Sequence, residues 1–448
     1  MSKLTIATFV LAMALVAYVM FTQPGSRSSE VKTGEGAPLF AKSELPVDDI
    51  SRMTLARKGE ATLVFERTKS GWMQTQPFQC PMDSISVQRL AAAAADLRVK
   101  DTSKSETAST LTAENVLLSP PLAEVTYEWP GHSIDVELGR KGLAGLAYVR
   151  VKGSDVIEVV NQSLHERALG MDPKEWRDRA IFHDIGPEAD KIEREDSPTA
   201  HMVLVRERKT WKMLMPVETR VDQAALNDYL DALGRAQFAG VLFDQAEAIA
   251  QFGLSPAQAT LSVTTSTPGQ AARVQVLSVG AKCIATAQDR FAMSDSAPII
   301  WQLAPQALAA LFRPIQNFIE PTGAGVNPAD VKQVVIRTAE GQFTMQRDLD
   351  KWVAPEKGGV EVNAALANEL MDQLTKLRAS AIDVREYPRE EEIATVTLYG
   401  FDLKAITTVR IAREKDSGKL IMENGDNVLR VYPASLQMKL TAGDFGVQ

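Results

Sequence analysis

The sequence predicts an α+β fold: three tandem antiparallel-sheet-plus-helix repeat domains after an N-terminal transmembrane helix. Three observations predict it. The chain opens on an uncharged apolar run; a tryptophan followed by a capped amphipathic helix occurs three times at even spacing; and each tryptophan is preceded by a period-two strand and followed by a strand meander.

The run Leu4–Phe21 (LTIATFVLAMALVAYVMF) has 18 residues and no charge, Gly or Pro. At 1.5 Å per residue it spans about 27 Å as a helix, close to the hydrocarbon thickness of a bilayer. Its end is bulky (Tyr18, Val19, Met20, Phe21), unlike the small-residue site of a cleaved signal peptide, so residues 1–22 are expected to be an uncleaved anchor. Lys3 precedes the run while Arg27, Lys32 and Lys42 follow it, and local charge counting gives no clear orientation. A short tail before a long body suggests translocation of the bulk. Residues 23–46, rich in Gly, Ser, Pro and charge, read as a flexible stalk.

The body then repeats, with domains expected at 47–186, 187–325 and 326–448. Trp72, Trp211 and Trp352 stand 139 and 141 residues apart by subtraction. Eleven residues after each comes Asp83, Asp222 or Asn363, residue types that cap helix N-termini by accepting from free backbone N–H groups. The stripes Val87–Leu90–Ala94–Leu97, Leu226–Tyr229–Leu233–Ala236 and Ala367–Leu370–Leu374–Leu377 step by 3, 4 and 3 and predict one amphipathic helix per copy. Upstream, Leu63, Phe65 and Arg67 alternate, as do Met202, Leu204 and Arg206, and Phe343, Met345 and Arg347, the pattern of a half-buried strand. In the first and third copies a preceding run makes a hairpin; KIEREDSPTA in the second is poorly strand-like. Turn segments VLLSPP, QFGLSP and LYGFDL follow the helices, then meanders. Each copy is expected to close on a strand and helix: IEVVNQSLHERAL, IIWQLAPQALAAL and LRVYPASLQMKL.

Composition excludes some functions. A formal charge of -8 without a basic block argues against nucleic-acid binding, which needs a basic excess. The four histidines form no H-E-x-x-H or Cys/His cluster, and neither a G-x-S-x-G elbow nor a phosphate-binding glycine loop occurs, so no catalytic, metal or cofactor residues are assigned. Glu390, Glu391 and Glu392 read as a solvated loop. Cys80 and Cys283 read as small buried residues, with a disulfide as the alternative. Each repeated Trp is expected to cover its own core, and each repeated Arg to lie along that indole or to form an ion pair with the cap carboxylate.

Trp72 with Pro77 and Asp83, and Trp211 with Pro216, Asp222 and the FGLSP of Phe252–Pro256, carry a resemblance to the family catalogued as domain of unknown function 4340. The third copy departs from the pattern, with Pro355 two residues early and YGFD in place of the Gly-Leu turn. The resemblance implies a bacterial inner-membrane protein with an extracytoplasmic (periplasmic) body, in some members beside ABC-type exporters of the gliding-motility kind. It transfers no catalytic residues. The expected role is a non-enzymatic scaffold or accessory protein. The alternatives are a module presenting a polysaccharide, lipid or peptide to a transporter and, third, an envelope hydrolase.

Overall fold

A computed structural model describes residues 36–100, 111–186, 188–197, 200–244, 248–267, 269, 271–283 and 288–447. The expected anchor and most of the expected stalk lie outside the described residues. Among those described, no helix is long and apolar enough to cross a membrane. The chain forms three antiparallel sheets and divides after Arg179 into two compact units, the first holding one sheet and the second two.

In the first unit the strands are β1 (Arg52–Arg57), β2 (Leu63–Thr68), β3 (Gly71–Gln76), β4 (Cys80–Met82), β5 (Ala123–Trp129), β6 (His132–Lys141), β7 (Leu146–Val151) and β8 (Glu158–Asn161). Helix α1 (Ser84–Ala95) connects β4 to β5 and α2 (Ser163–Ala168) follows β8. The order in space is β4-β3-β2-β1-β5-β6-β7-β8, so two meanders are zipped together where β1 pairs with β5. Alternation decides which face is dry: Met53 and Leu55 of β1 and Val125 and Tyr127 of β5 are buried. The whole predicted stripe Val87, Leu90, Ala94 and Leu97 is buried with them.

The second unit repeats this plan twice. Its first sheet holds β9 (Ala189–Ser197), β10 (Ala200–Glu207), β11 (Thr210–Met215), β12 (Thr219–Arg220), β13 (Gly240–Asp244), β14 (Ala259–Thr265), β15 (Arg273–Lys282), β16 (Arg290–Ser294) and β17 (Ile299–Leu303), with α3 (Gln223–Arg235) and α4 (Pro305–Leu311). Its second sheet holds β18 (Gln333–Thr338), β19 (Gly341–Asp348), β20 (Lys351–Ala354), β21 (Val360–Glu361), β22 (Ala381–Val384), β23 (Glu392–Tyr399), β24 (Ala405–Arg413), β25 (Leu420–Glu423) and β26 (Val428–Tyr432), with α5 (Ala364–Thr375). In both, the strand after the helix adds a ninth member at the edge, β13 on β17 and β22 on β26. In the first unit the described residues of this edge make the bridge Val99↔Val160.

Three features of the copies were not anticipated. First, a strap crosses the face opposite the helix. In the last sheet α5 packs on Ile411, Leu420 and Met422, while Tyr387 packs with Ala412, Ile421 and Leu429. Neighbouring strand residues point to opposite faces, so these are two separate cores on one sheet. Phe252 and Leu254 pack on Ile300 in the same manner, and Val116 and Leu118 are buried in the first unit. The strap lies so close that a Cβ on Gly139 would sit 2.3 Å from the Val116 carbonyl oxygen, and one on Gly280 2.2 Å from that of Phe252. Second, a 3-10 turn ends each copy and inserts one aromatic: Trp176, Phe318 and Phe445 are all buried. Third, each copy begins on a lead-in that pairs with the segment after its own helix, through the bridges Pro38↔Arg98, Ala180↔Gln237 and Thr322↔Arg378.

The lead-in corrects the expected boundaries. Residues 36–46 are not a stalk: Phe40 and Leu45 are buried and Leu39 N–H donates to the Leu97 carbonyl at 2.9 Å. By the same lead-ins the second and third copies start near Ala180 and Pro321, about six residues earlier than expected. KIEREDSPTA supplies β9, a central strand, because pairing with β10 and β14 on both sides outweighs weak intrinsic preference. LYGFDL is the hairpin between β23 and β24, not the turn before the meander. No α-helix follows β26, where only the 3-10 turn Ala442–Phe445 forms. Leu377 falls beyond α5 and is exposed.

Candidate functional site

The residues singled out by repetition come together as one structural node per copy. Arg67 faces Trp72 directly across β2 and β3, Arg206 faces Trp211 across β10 and β11, and Arg347 faces Trp352 across β19 and β20. All three indoles are buried. The Arg347 guanidinium lies 4.9 Å from the Trp352 ring centroid, a cation–π distance, and the indole N–H donates to Asn368 at 3.2 Å. Each arginine donates to a main-chain carbonyl at the start of its copy: Asp48 at 2.6 Å, Ala189 at 3.4 Å and Pro328 at 3.0 Å. The expected ion pair with the cap carboxylate is replaced by this contact. A carbonyl satisfies the guanidinium without burying a second charge.

The caps serve the helices. Asp83 accepts from Ser86 N–H at 3.0 Å, Asp222 from Ala224 and Ala225, and Asn363 from Ala365 and Leu366. Their own N–H groups donate to the main-chain carbonyls of the inserted residues of the closing turns, Trp176, Phe318 and Phe445, at 2.8, 2.9 and 3.2 Å. One residue thus ties strand, helix and closing turn. Asp222 has a further partner, Arg378, at 2.6 Å. Arg378 lies just past the C-terminus of α5, so a carboxylate at one helix start meets a cation at another helix end, the arrangement both helix dipoles favour.

Other reactive groups are placed as structure. His165 is fully buried, its Nε2 3.0 Å from the Gly139 carbonyl. Burial pushes its pKa down to about 4, against the pull of the Gly139 and Tyr148 carbonyls. His201 meets Glu193 at 3.1 Å and His132 stacks on Trp129. Cys80 and Cys283 are buried thiols that are not joined in a disulfide. Among the described residues no cluster of His, Cys, Asp and Glu is grouped to hold a metal ion.

Besides Arg194 of β9, two sets of buried charges among the described residues were missed. On the strap face of the first unit, Glu137 of β6 faces Arg150 of β7 at 2.6 Å, and Arg150 also donates to the strap carbonyl of Leu118. On the last sheet, Arg410 of β24 faces Glu423 of β25 at 2.5 Å, and its guanidinium stacks 4.5 Å from the ring centroid of strap residue Tyr387. The positions correspond, with the charges exchanged. The middle sheet has Ser278 facing Met293 there. The signal was a Glu and an Arg 13 residues apart in both copies in opposite order.

The second set joins the two sheets of the second unit. Arg430, fully buried, donates to both oxygens of Asp426, at 3.1 and 2.8 Å, and to the Glu320 carbonyl. Thr219 of β12 donates to Asp426 at 2.5 Å. Burial alone would raise the Asp426 carboxyl, but Arg430, Thr219 and the Val428 N–H hold it below its ordinary range. Arg220 donates to the Ala324 carbonyl, and burial followed by the charge of Arg430 lowers its pKa. A cleft of about 510 Å³ opens above this network, lined by Lys212, Thr219, Arg220 and Asp426 among others.

The third sheet also carries, at Leu349, the most exposed large apolar side chain among the described residues. Lys332 opens β18, its N–H donating to the Tyr399 carbonyl and its ammonium reaching the Arg347 carbonyl while facing the Phe401 ring. Hence the β19–β20 and β23–β24 tips flank β18 at one end of the sheet. Leu349 on the first tip is 94% exposed; Phe401 and Leu403 on the second are 66% and 58% exposed, and Ile406 beside them 41%. Leu349 and Leu403 have φ of 54° and 58°, a left-handed conformation that costs a leucine about 1 kcal/mol or more.

The chain matches the family model described as Domain of unknown function (DUF4340) twice, over residues 72–212 and 211–402. Both matches begin at a tryptophan of the repeat, so each runs across a boundary between sheets. No curated protein and no solved structure matches the chain.

Proposed function

We propose, for a chain that belongs to the DUF4340 family, a role as a non-enzymatic scaffold. In this reading Leu4–Phe21 anchors it in the inner membrane, the body is extracytoplasmic, and it serves as an accessory part of an ABC-type transporter. The observation that carries the reading is the pair of exposed apolar tips on the third sheet. Burying them in a partner removes apolar surface from water, whereas a monomer gains nothing from leucines in a disfavoured conformation. The use of each repeated Arg, Asp and Trp to close its own copy supports it further, since these side chains are spent on architecture.

Cross-linking in native membranes followed by purification tests the role. Recovery of an ATP-binding-cassette complex is expected; a clean monomer sinks the proposal. Extraction with alkaline carbonate tests the anchor separately, since a chain spanning the bilayer stays with the lipid pellet.

A further inference from the structure

We infer that the first unit binds an oxyanion carried on a hydroxyl-rich ring, a sugar phosphate or a sugar acid, in the cleft between α1 and α2. Such a site goes beyond the scaffold role and does not depend on it. The cleft has a volume of about 660 Å³, inside the range of small-molecule sites. Arg89 and the C-cap Asp96 reach it from α1, Glu166 and Arg167 from α2, and Lys141 from the end of β6. Among the described residues, no two of these five charged groups form an ion pair with each other. Of the five side chains only Arg167 has a hydrogen-bond partner, the Met171 sulfur at 2.8 Å.

Hydrogen bonds tie the walls together. The Ser163 hydroxyl donates to the Ala93 carbonyl at 3.0 Å and the Asn161 amide to the Asp96 carbonyl at 2.8 Å, so α2 and the strand before it are bound to α1. Arg57 of β1 donates to the Ala168 and Met171 carbonyls at 2.6 and 2.7 Å, which holds the loop after α2. That loop turns back so tightly that a Cβ on Gly170 would sit 2.8 Å from the Glu166 carbonyl oxygen. A cleft held this way does not have to be ordered by its ligand.

In the other copies the same helix face satisfies itself. At 17, 20 and 24 residues past the repeated tryptophan, by subtraction, stand Arg89, Ala92 and Asp96, then Asp228, Asp231 and Arg235, then Glu369, Asp372 and Lys376. Asp231 pairs with Arg235 at 3.2 Å and Asp372 with Lys376 at 2.7 Å. In the first copy Ala92 takes the place of the acid, that pair is lost, and Arg89 stands where the others have a carboxylate. The ligand chemistry follows from the resulting set. Two guanidinium groups and an ammonium recognise a phosphate or carboxylate, the guanidinium in bidentate fashion. Ionised Asp96 and Glu166 only accept hydrogen bonds, so a bare anion meets repulsion from them, whereas hydroxyl groups on the same molecule supply the donors.

Equilibrium dialysis of the full chain in detergent micelles tests this, against radiolabelled glucose 6-phosphate, glucuronate, glucose and inorganic phosphate, each up to about 10 mM. At least one of the two sugar anions is expected to bind tenfold or more tightly than glucose or phosphate, and which one does so separates a phosphate from a carboxylate ligand. Arg89→Gln and Arg167→Gln are each expected to weaken that binding about tenfold, the loss of one charge-assisted hydrogen bond. The triple variant Arg89→Asp, Ala92→Asp, Asp96→Arg, which gives α1 the outer face of α3, is expected to abolish it, while Asp228→Arg on α3 leaves it unchanged. Melting curves check that each variant is folded. Phosphate retained as well as the sugar anions means a positive patch without a site and overturns the proposal. Retention of neither sugar anion, or affinity unchanged in the two arginine variants, overturns it too. None of these outcomes bears on the scaffold role, which the cross-linking decides.

Discussion

Single residues settle questions that composition leaves open. His165 is neutral in the folded state, with a pKa near 4 against an ordinary 6.5, so it is a source of acid sensitivity. Above pH 6.5 neither state carries the proton. Between 6.5 and 4 the unfolded chain binds a proton that the folded chain refuses, so stability falls as pH drops through that window and levels off below it. The full shift amounts to about 3 kcal/mol. Denaturant unfolding at pH 7 and pH 4 is expected to show this loss in the native chain and a smaller one in His165→Gln. The Arg410–Glu423 pair makes a second residue-scale test. Either Arg410→Ser or Glu423→Met alone leaves a charge without its partner beside a fully buried position, at a cost of about 3–5 kcal/mol. The double variant restores most of that loss, because Ser and Met are what the middle sheet places there. Equal losses in single and double variants, read from urea midpoints, would refute the correspondence.

At the scale of elements, the strap governs how closely main chains approach. Gly280→Ala puts a methyl group into the Phe252 carbonyl, and the strap has to shift or unpack. The expected cost is about 1–3 kcal/mol, with faster amide exchange confined to residues 248–254 and 280–282. Uniform exchange throughout the sheet would contradict a local strap. What sequence could show divides along the same line. The caps and helix stripes were legible because spacings of two to four residues create them. Trp176, Phe318 and Phe445 were not, since each closes a circuit with a cap residue more than eighty positions away and stands in a short turn of no periodicity. The opposed Glu–Arg pairs became meaningful only once β6 lay beside β7 and β24 beside β25. β9 shows the converse: an arginine at position 194, buried in a core strand, hid its strand character. The guanidinium donates to the Arg313 carbonyl near the end of α4, an ion-dipole contact no local pattern announces.

For the molecule as a whole, Asp426 is one of the groups that join the two sheets of the second unit, beside the Asp222–Arg378 pair. Asp426→Ala strands Arg430 without its carboxylate and removes the partner of Thr219, so the two sheets lose a shared anchor. Calorimetry is expected to show the transition of that unit broadening or splitting in the variant, where the native chain melts it as one. A uniform shift without broadening would mean that Asp426 stabilises only its own hairpin. The family matches, each beginning at an indole and crossing a boundary between sheets, are offset from the folded module, which runs from lead-in to closing turn.

The lead-in and the closing turn have one more consequence. The polypeptide enters each module beside the far end of its helix and leaves beside the near end, so a single copy carries the backbone forward by about 18 Å, the length of twelve helical residues. Each copy ties its own helix to its lead-in and closing turn by main-chain hydrogen bonds. Lengthening or shortening such a protein can therefore proceed by whole-module duplication or deletion, with contacts between neighbouring sheets such as Thr219 with Asp426 to be rebuilt, and copy number becomes a dimension evolution can adjust.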